Sequence, residues 1–124
     1  MLSLIDNQVR SLRKRQLIES LKLRKKMLDQ HVSPDDPFLR RVTRNGAYWG
    51  IRSQVADYFL DDALDCPESR TLELANLPTR LKRLDDDLQE RLINWGYAIC
   101  DTAMRKHVNR KLPPPAGFPY ARGV

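Results

Sequence analysis

The amino-acid sequence predicts a mostly α-helical fold with two long helices, several short ones and a single short strand. Three observations predict it. Apolar residues recur at steps of three and four over residues 4–28 and again over 86–108, and only residues 47–51 alternate as a strand does.

The first long helix is expected over residues 4–28. Ile5, Val9 and Leu12 share one face, and Leu17, Leu21 and Leu28 continue a drifting stripe. Arg10, Arg13, Lys14, Arg15, Lys22, Arg24, Lys25 and Lys26 lie between them. Asp6 near the start and the cations near the end both suit the helix dipole. Ser33-Pro34-Asp35-Asp36-Pro37 then reads as a stop, because two prolines among Ser and Asp favour turns.

Asn45-Gly46 is a turn signal, and Ala47-Tyr48-Trp49-Gly50-Ile51 is the strand candidate. A lone strand cannot pair its own backbone groups, and no second convincing strand follows. Its partner is therefore expected from outside this chain. Val55, Tyr58, Phe59, Ala63 and Leu64 suggest a turn or two of helix ending at Asp65-Cys66-Pro67, and Thr71–Ala75 suggests another. Thr79 fits the N-cap of a brief helical turn reaching Leu84.

The second long helix, over 86–108, has the clearest signals. Asp85, Asp86 and Asp87 supply a cap and first-turn negative charge, and Arg105, Lys106 and His107 complete the last turn. Leu88, Leu92, Trp95, Ile99 and Ala103 form one stripe, with Ile93, Tyr97, Cys100 and Met104 as a second beside it. So wide an apolar arc predicts burial on more than one side. Gly96 costs about 1 kcal/mol of helix propensity relative to Ala, which predicts a close neighbouring backbone. The three prolines at 113–115 favour an extended tail over 113–124.

Length and composition set the bounds. The 124 residues, 41% hydrophobic and 31% charged, allow one domain or part of a larger one. No apolar run approaches the roughly 20 residues a membrane span needs, and no secretory signal opens the chain. The expected setting is cytoplasmic, with Cys66 and Cys100 reduced and mostly buried. The net charge of +6 is confined to residues 1–44, where eleven Lys/Arg face five Asp/Glu. That asymmetry points to an anionic partner.

The sequence holds no recognisable catalytic constellation. None of Ser3, Ser11, Ser20, Ser33, Ser53 and Ser69 lies in a GxSxG elbow, and no Gly-rich phosphate loop exists. Cys100 and His107, seven residues apart on one helix, lie about 10 Å apart, too far to share a zinc ion. Asp85–Asp87 lacks the spaced ligands and glycine of a calcium loop and reads as a helix start, while Asp61, Asp62 and Asp65 read as a solvated loop. Trp49, Trp95, Tyr48 and Tyr97 read as core residues. No catalytic, metal or cofactor-binding residue is expected, and no cofactor. The one live site is Arg10, Arg13, Lys14 and Arg15. These cations form a solvated or internally paired face, or contact an anionic membrane surface to which the protein is then peripheral. Nucleic acid is not expected, because no motif for it is present.

Three stretches together resemble the C-terminal part of bacterial patatin-like phospholipases. They are Ile5–Leu17 (IDNQVRSLRKRQL), Gly46–Arg52 (GAYWGIR) and Leu88–Ala98 (LQERLINWGYA), with Leu77-Pro78-Thr79-Arg80-Leu81 fitting the same region. The resemblance implies a parent α/β fold that hydrolyses lipid acyl esters with a Ser-Asp dyad. The serine stands in a GxSxG elbow and the aspartate in a DG[GA] motif. Both motifs precede the region resembled and neither occurs here, so no family catalytic residue maps onto this chain. The resemblance further implies that residues 1–112 are part of a domain whose catalytic N-terminal half is its partner, with the 47–51 strand joining that half's sheet. The rival expectation is a free-standing helical module that binds anionic membrane or an acidic partner through its basic helix.

Overall fold

In a computed structural model of the chain, which describes residues 2–78 and 82–124, four α-helices and one 3₁₀ turn make up the regular structure of the described residues. They are α1 (Leu2–Asp29), α2 (Pro37–Val42), the 3₁₀ turn (Val55–Tyr58), α3 (Glu68–Ala75) and α4 (Asp86–His107). The chain divides into two compact units, residues 1–46 and 47–124. The Pro-rich segment 113–124 belongs to the second.

In the first unit, α1 ends in a Schellman turn. His31 N–H donates to the Leu28 carbonyl at 3.0 Å and Val32 N–H to the Met27 carbonyl at 3.1 Å. His31 adopts φ 65°, the left-handed conformation glycine usually supplies there. The segment expected only to stop this helix also starts the next. Asp36 caps α2 by accepting from the N–H of Phe38 at 2.8 Å and Leu39 at 3.0 Å, and Pro37 takes the first turn, where its missing N–H costs nothing. α2 packs on α1 and buries Leu39 completely, while the Arg44 N–H donates to Ser20 Oγ at 2.8 Å and ties the chain beyond α2 to α1.

The second unit is built on α4, against which the 3₁₀ turn and α3 pack. Val55, Leu74, Trp95, Ala98, Ile99 and Val124 form its buried core, and Trp49, Tyr58, Leu64, Leu77, Leu92 and Phe118 pack around them. The α4 start follows the sequence: Asp85 caps it by accepting from Leu88 N–H at 2.8 Å. The Pro-rich segment, though without helix or strand, is anchored. The fully buried Asn94 side chain donates to the carbonyls of Tyr120 at 2.8 Å and Gly123 at 2.7 Å, and accepts from Tyr120 N–H at 2.9 Å.

Four expectations require correction. Residues 47–51 form no strand, because no other strand exists among the described residues to pair with. A turn follows instead, in which Gly50 N–H donates to Ser53 Oγ and Ser53 N–H to the Gly50 carbonyl, each at 2.9 Å. The second α4 stripe is open, with Ile93, Tyr97 and Cys100 exposed. The buried flank of that helix is polar, formed by Arg91, Asn94, Thr102 and Arg105. Of the four aromatics expected in the core, Trp95 is buried and Trp49 is half-buried against the core cluster, but Tyr48 and Tyr97 are exposed. Gly96 has no close neighbour: a Cβ there would meet no atom of another element within 4 Å. Gly96→Ala is therefore expected to stabilise by about 1 kcal/mol through helix propensity alone. A thermal melt with an unchanged or lower Tm for this variant would refute that. The turn expected at Thr79, and part of the Leu77–Leu81 stretch, fall on residues 79–81, outside the described residues.

Candidate functional site

The four cations singled out by sequence lie on the first half of α1, where every residue from 3 to 17 is exposed. Ile5 at 53%, Val9 at 40% and Leu12 at 54% exposure form an apolar stripe open to solvent. At roughly 100° per residue, Arg13 and Arg15 flank this stripe, one on each edge. Arg10 and Lys14 project from the opposite side. Arg10 forms an ion pair with Asp6 at 2.7 Å, one helical turn away, and both partners are well exposed. Such a pair contributes about 0–1 kcal/mol, so Asp6 does not remove Arg10 from circulation. The fold thus brings Arg13 and Arg15 to one apolar face and sets Arg10 and Lys14 apart from it. Helix geometry alone carries that division, so it was available from the sequence.

In the second unit the charged groups serve the fold. Arg105, 5% exposed, grips Asp101 through Nε at 3.1 and 3.0 Å and Nη2 at 2.8 Å, and reaches Asp62 through Nη1 at 2.6 Å. The hydrogen bond to Asp101, followed by that to Asp62, raises the Arg105 pKa, and the Arg105 hydrogen bond holds the Asp62 carboxyl below its ordinary value. Asp62, expected in a solvated loop, is thus a half-exposed anchor for a buried cation. Arg91 likewise pairs with Glu73 at 2.8 Å. Tyr58 meets His107 edge-on at 5.5 Å, and burial raises its phenol pKa. These buried polar residues escaped sequence reasoning. Their signal is the recurrence of Arg91, Asn94, Ala98, Thr102 and Arg105 at steps of three and four along one side of α4.

The half-buried Cys66 thiol is pushed up to about 11, chiefly by burial and then by Asp65, so it stays protonated at neutral pH. Cys100, expected to be mostly buried, is exposed on the open side of α4. Among the described residues, no group of three or more His, Cys, Asp or Glu could hold a metal ion. No helix of the described residues is long and apolar enough to cross a membrane. Comparison with protein-family models, curated proteins and solved structures finds no match.

Proposed function

We propose that this chain is the non-catalytic C-terminal portion of a patatin-like lipid acyl hydrolase. The observation that carries the reading is the ordered resemblance of Ile5–Leu17, Gly46–Arg52 and Leu88–Ala98 to that region of the family. One feature of the structure agrees with it. Apolar residues stand open on both long helices: Ile5, Val9 and Leu12 on α1, Ile93 and Tyr97 on α4. In the intact enzyme the serine of that half would attack the acyl ester, with the aspartate as base. The present residues would cover the sheet and contribute no catalytic group.

The test has two parts. DNA upstream of Met1 is expected to encode an in-frame GxSxG and DG[GA] within about one domain length. The 124-residue chain alone should neither hydrolyse p-nitrophenyl esters nor react with a fluorophosphonate probe, while its fusion to the upstream segment should do both. Serine labelling with turnover by the short chain, or upstream DNA lacking both motifs, defeats the proposal.

A second reading is favoured by the open apolar stripe on the first half of α1. Isolated helices of about 15 residues are marginal in water. An anionic bilayer would bury the Ile5–Val9–Leu12 stripe while Arg13 and Arg15 reach the head groups. Vesicle co-sedimentation checks it. Arg13→Gln with Arg15→Gln should weaken binding to anionic vesicles more than Arg10→Gln with Lys14→Gln does. Equal effects, or binding insensitive to salt, overturn the membrane reading.

A further inference from the structure

We infer that residues 1–46 carry a binding cleft for a phosphate group, formed by Arg24 of α1 with Arg40 of α2 and Arg44 just beyond it. The three guanidinium side chains line one open cleft of about 420 Å³, together with Pro34, Asp35, Thr43 and Asn45. That volume lies within the range of small-molecule sites, roughly 300–1,000 Å³. The juxtaposition is built, because Ser20 and Arg24 stand one turn apart on α1 and the Arg44 N–H is bound to Ser20 Oγ. The chain past α2 therefore runs beside Arg24, and a Cβ at Gly46 would lie 3.9 Å from Leu21 Cδ2 of the same helix.

The charge balance favours a dianion. Asp35 neutralises Arg40 through a 2.7 Å ion pair. Neither Arg24 nor Arg44 makes an ion pair among the described residues, which leaves two uncompensated cations on the cleft. A phosphate monoester carries about −1.5 to −2 at pH 7, and its oxygens suit the planar fork of arginine. Asn45, whose side-chain amide carries two donors, also lines the cleft. The Thr43 hydroxyl is not available, since it donates to the Leu39 carbonyl at 2.6 Å. Because the cleft opens to solvent, the phosphate can be free or the head group of a lipid.

This cleft is independent of the hydrolase reading and of the Ile5–Leu12 stripe. The test titrates the 15N-labelled full chain with inorganic phosphate and with glycerol 3-phosphate at about 0.15 M salt. In parallel, the chain is sedimented with phosphatidylcholine vesicles that contain or lack phosphatidic acid. Saturable shifts are expected at Arg24, Arg44 and Asn45. Arg24→Gln and Arg44→Gln should each weaken binding about tenfold, the effect of losing one charge-assisted hydrogen bond. Lys111→Gln, at an exposed position of the 47–124 unit, should leave it unchanged. Binding of the soluble phosphates assigns a free ligand, and binding of the phosphatidic acid vesicles alone assigns a head group; either supports the cleft if Arg24→Gln weakens it. Should Arg24→Gln lose helical circular dichroism, Arg24→Lys, which keeps the charge but not the fork, should still weaken binding several-fold. The inference fails if no phosphate source binds, if the arginine variants bind like the parent, or if Lys111→Gln weakens binding as much as they do.

Discussion

Asn94→Ala is expected to destabilise the 47–124 unit by about 3 kcal/mol, because one buried side chain holds the end of the chain on α4. Asn94 is fully buried and makes three hydrogen bonds of 2.7–2.9 Å to the backbone of Tyr120 and Gly123. Alanine would leave the Gly123 carbonyl and the Tyr120 N–H without this partner, and the Tyr120 carbonyl with only the 3.4 Å bond from Gly123 N–H. It would also loosen Phe118 and Val124, the latter 3% exposed in the core. For a unit of this size each kcal/mol moves Tm by roughly 4–8 °C, so a fall of about 12–24 °C should be seen by circular dichroism. Asn94→Asp separates donation from size. It keeps an acceptor for Tyr120 N–H but turns a carboxylate towards two carbonyls, and should be at least as damaging. Hydrogen exchange at the Tyr120 amide should lose its protection in both variants. A Tm within a few degrees of the parent for Asn94→Ala would show that the tail is not anchored through this side chain.

That anchor also marks where sequence reading ran out. The long helices were legible because their signals are local: Asp85 and the acidic first turn of α4, and the three- and four-residue steps along α1. α2 was legible in principle, since Asp36 before Pro37 is a cap followed by a first-turn proline, but the same residues also spell a turn. The strand failed because Tyr48, Trp49 and Ile51 have strand-forming side chains while a strand also needs a neighbour. Here Trp49 is held by its contact with the core. Burial along α4 was misassigned for a related reason. Asn94 finds its partners 26 and 29 residues away, and Arg105 adds Asp62, 43 residues away, to its neighbour Asp101; no periodicity reveals the distant partners. Those partners let polar side chains sit inside while Ile93 and Tyr97 stay out. The basic site divides in the same way. Arg10, Arg13, Lys14 and Arg15 form a cluster in the sequence itself, whereas Arg24, Arg40 and Arg44 meet only once α2 folds back on α1.

Arg105→Met is expected to produce the other large loss, about 3 kcal/mol, because it strands a largely enclosed carboxylate. Asp101 is only 17% exposed and takes both Nε and Nη2 of Arg105, so its charge would remain inside with nothing to balance it. The loss should therefore reside in the unpaired partner and not in the pair itself. Arg105→Met combined with Asp101→Leu replaces both charges by apolar groups and should recover much of the stability. Asp62 answers differently. Its side chain is 53% exposed, so Asp62→Asn should cost far less than Arg105→Met. Its carboxyl pKa is held below the unfolded value, chiefly by the Arg105 hydrogen bond. Its contribution is therefore present above the unfolded pKa, near about 4, and is lost as pH falls through the folded value. Asp62→Asn should flatten that part of the acid limb of stability against pH. Urea melts of the single and double variants at neutral pH measure the coupling between positions 101 and 105. If the double variant is no more stable than Arg105→Met alone, the damage is a packing defect and the stranded-charge account is wrong.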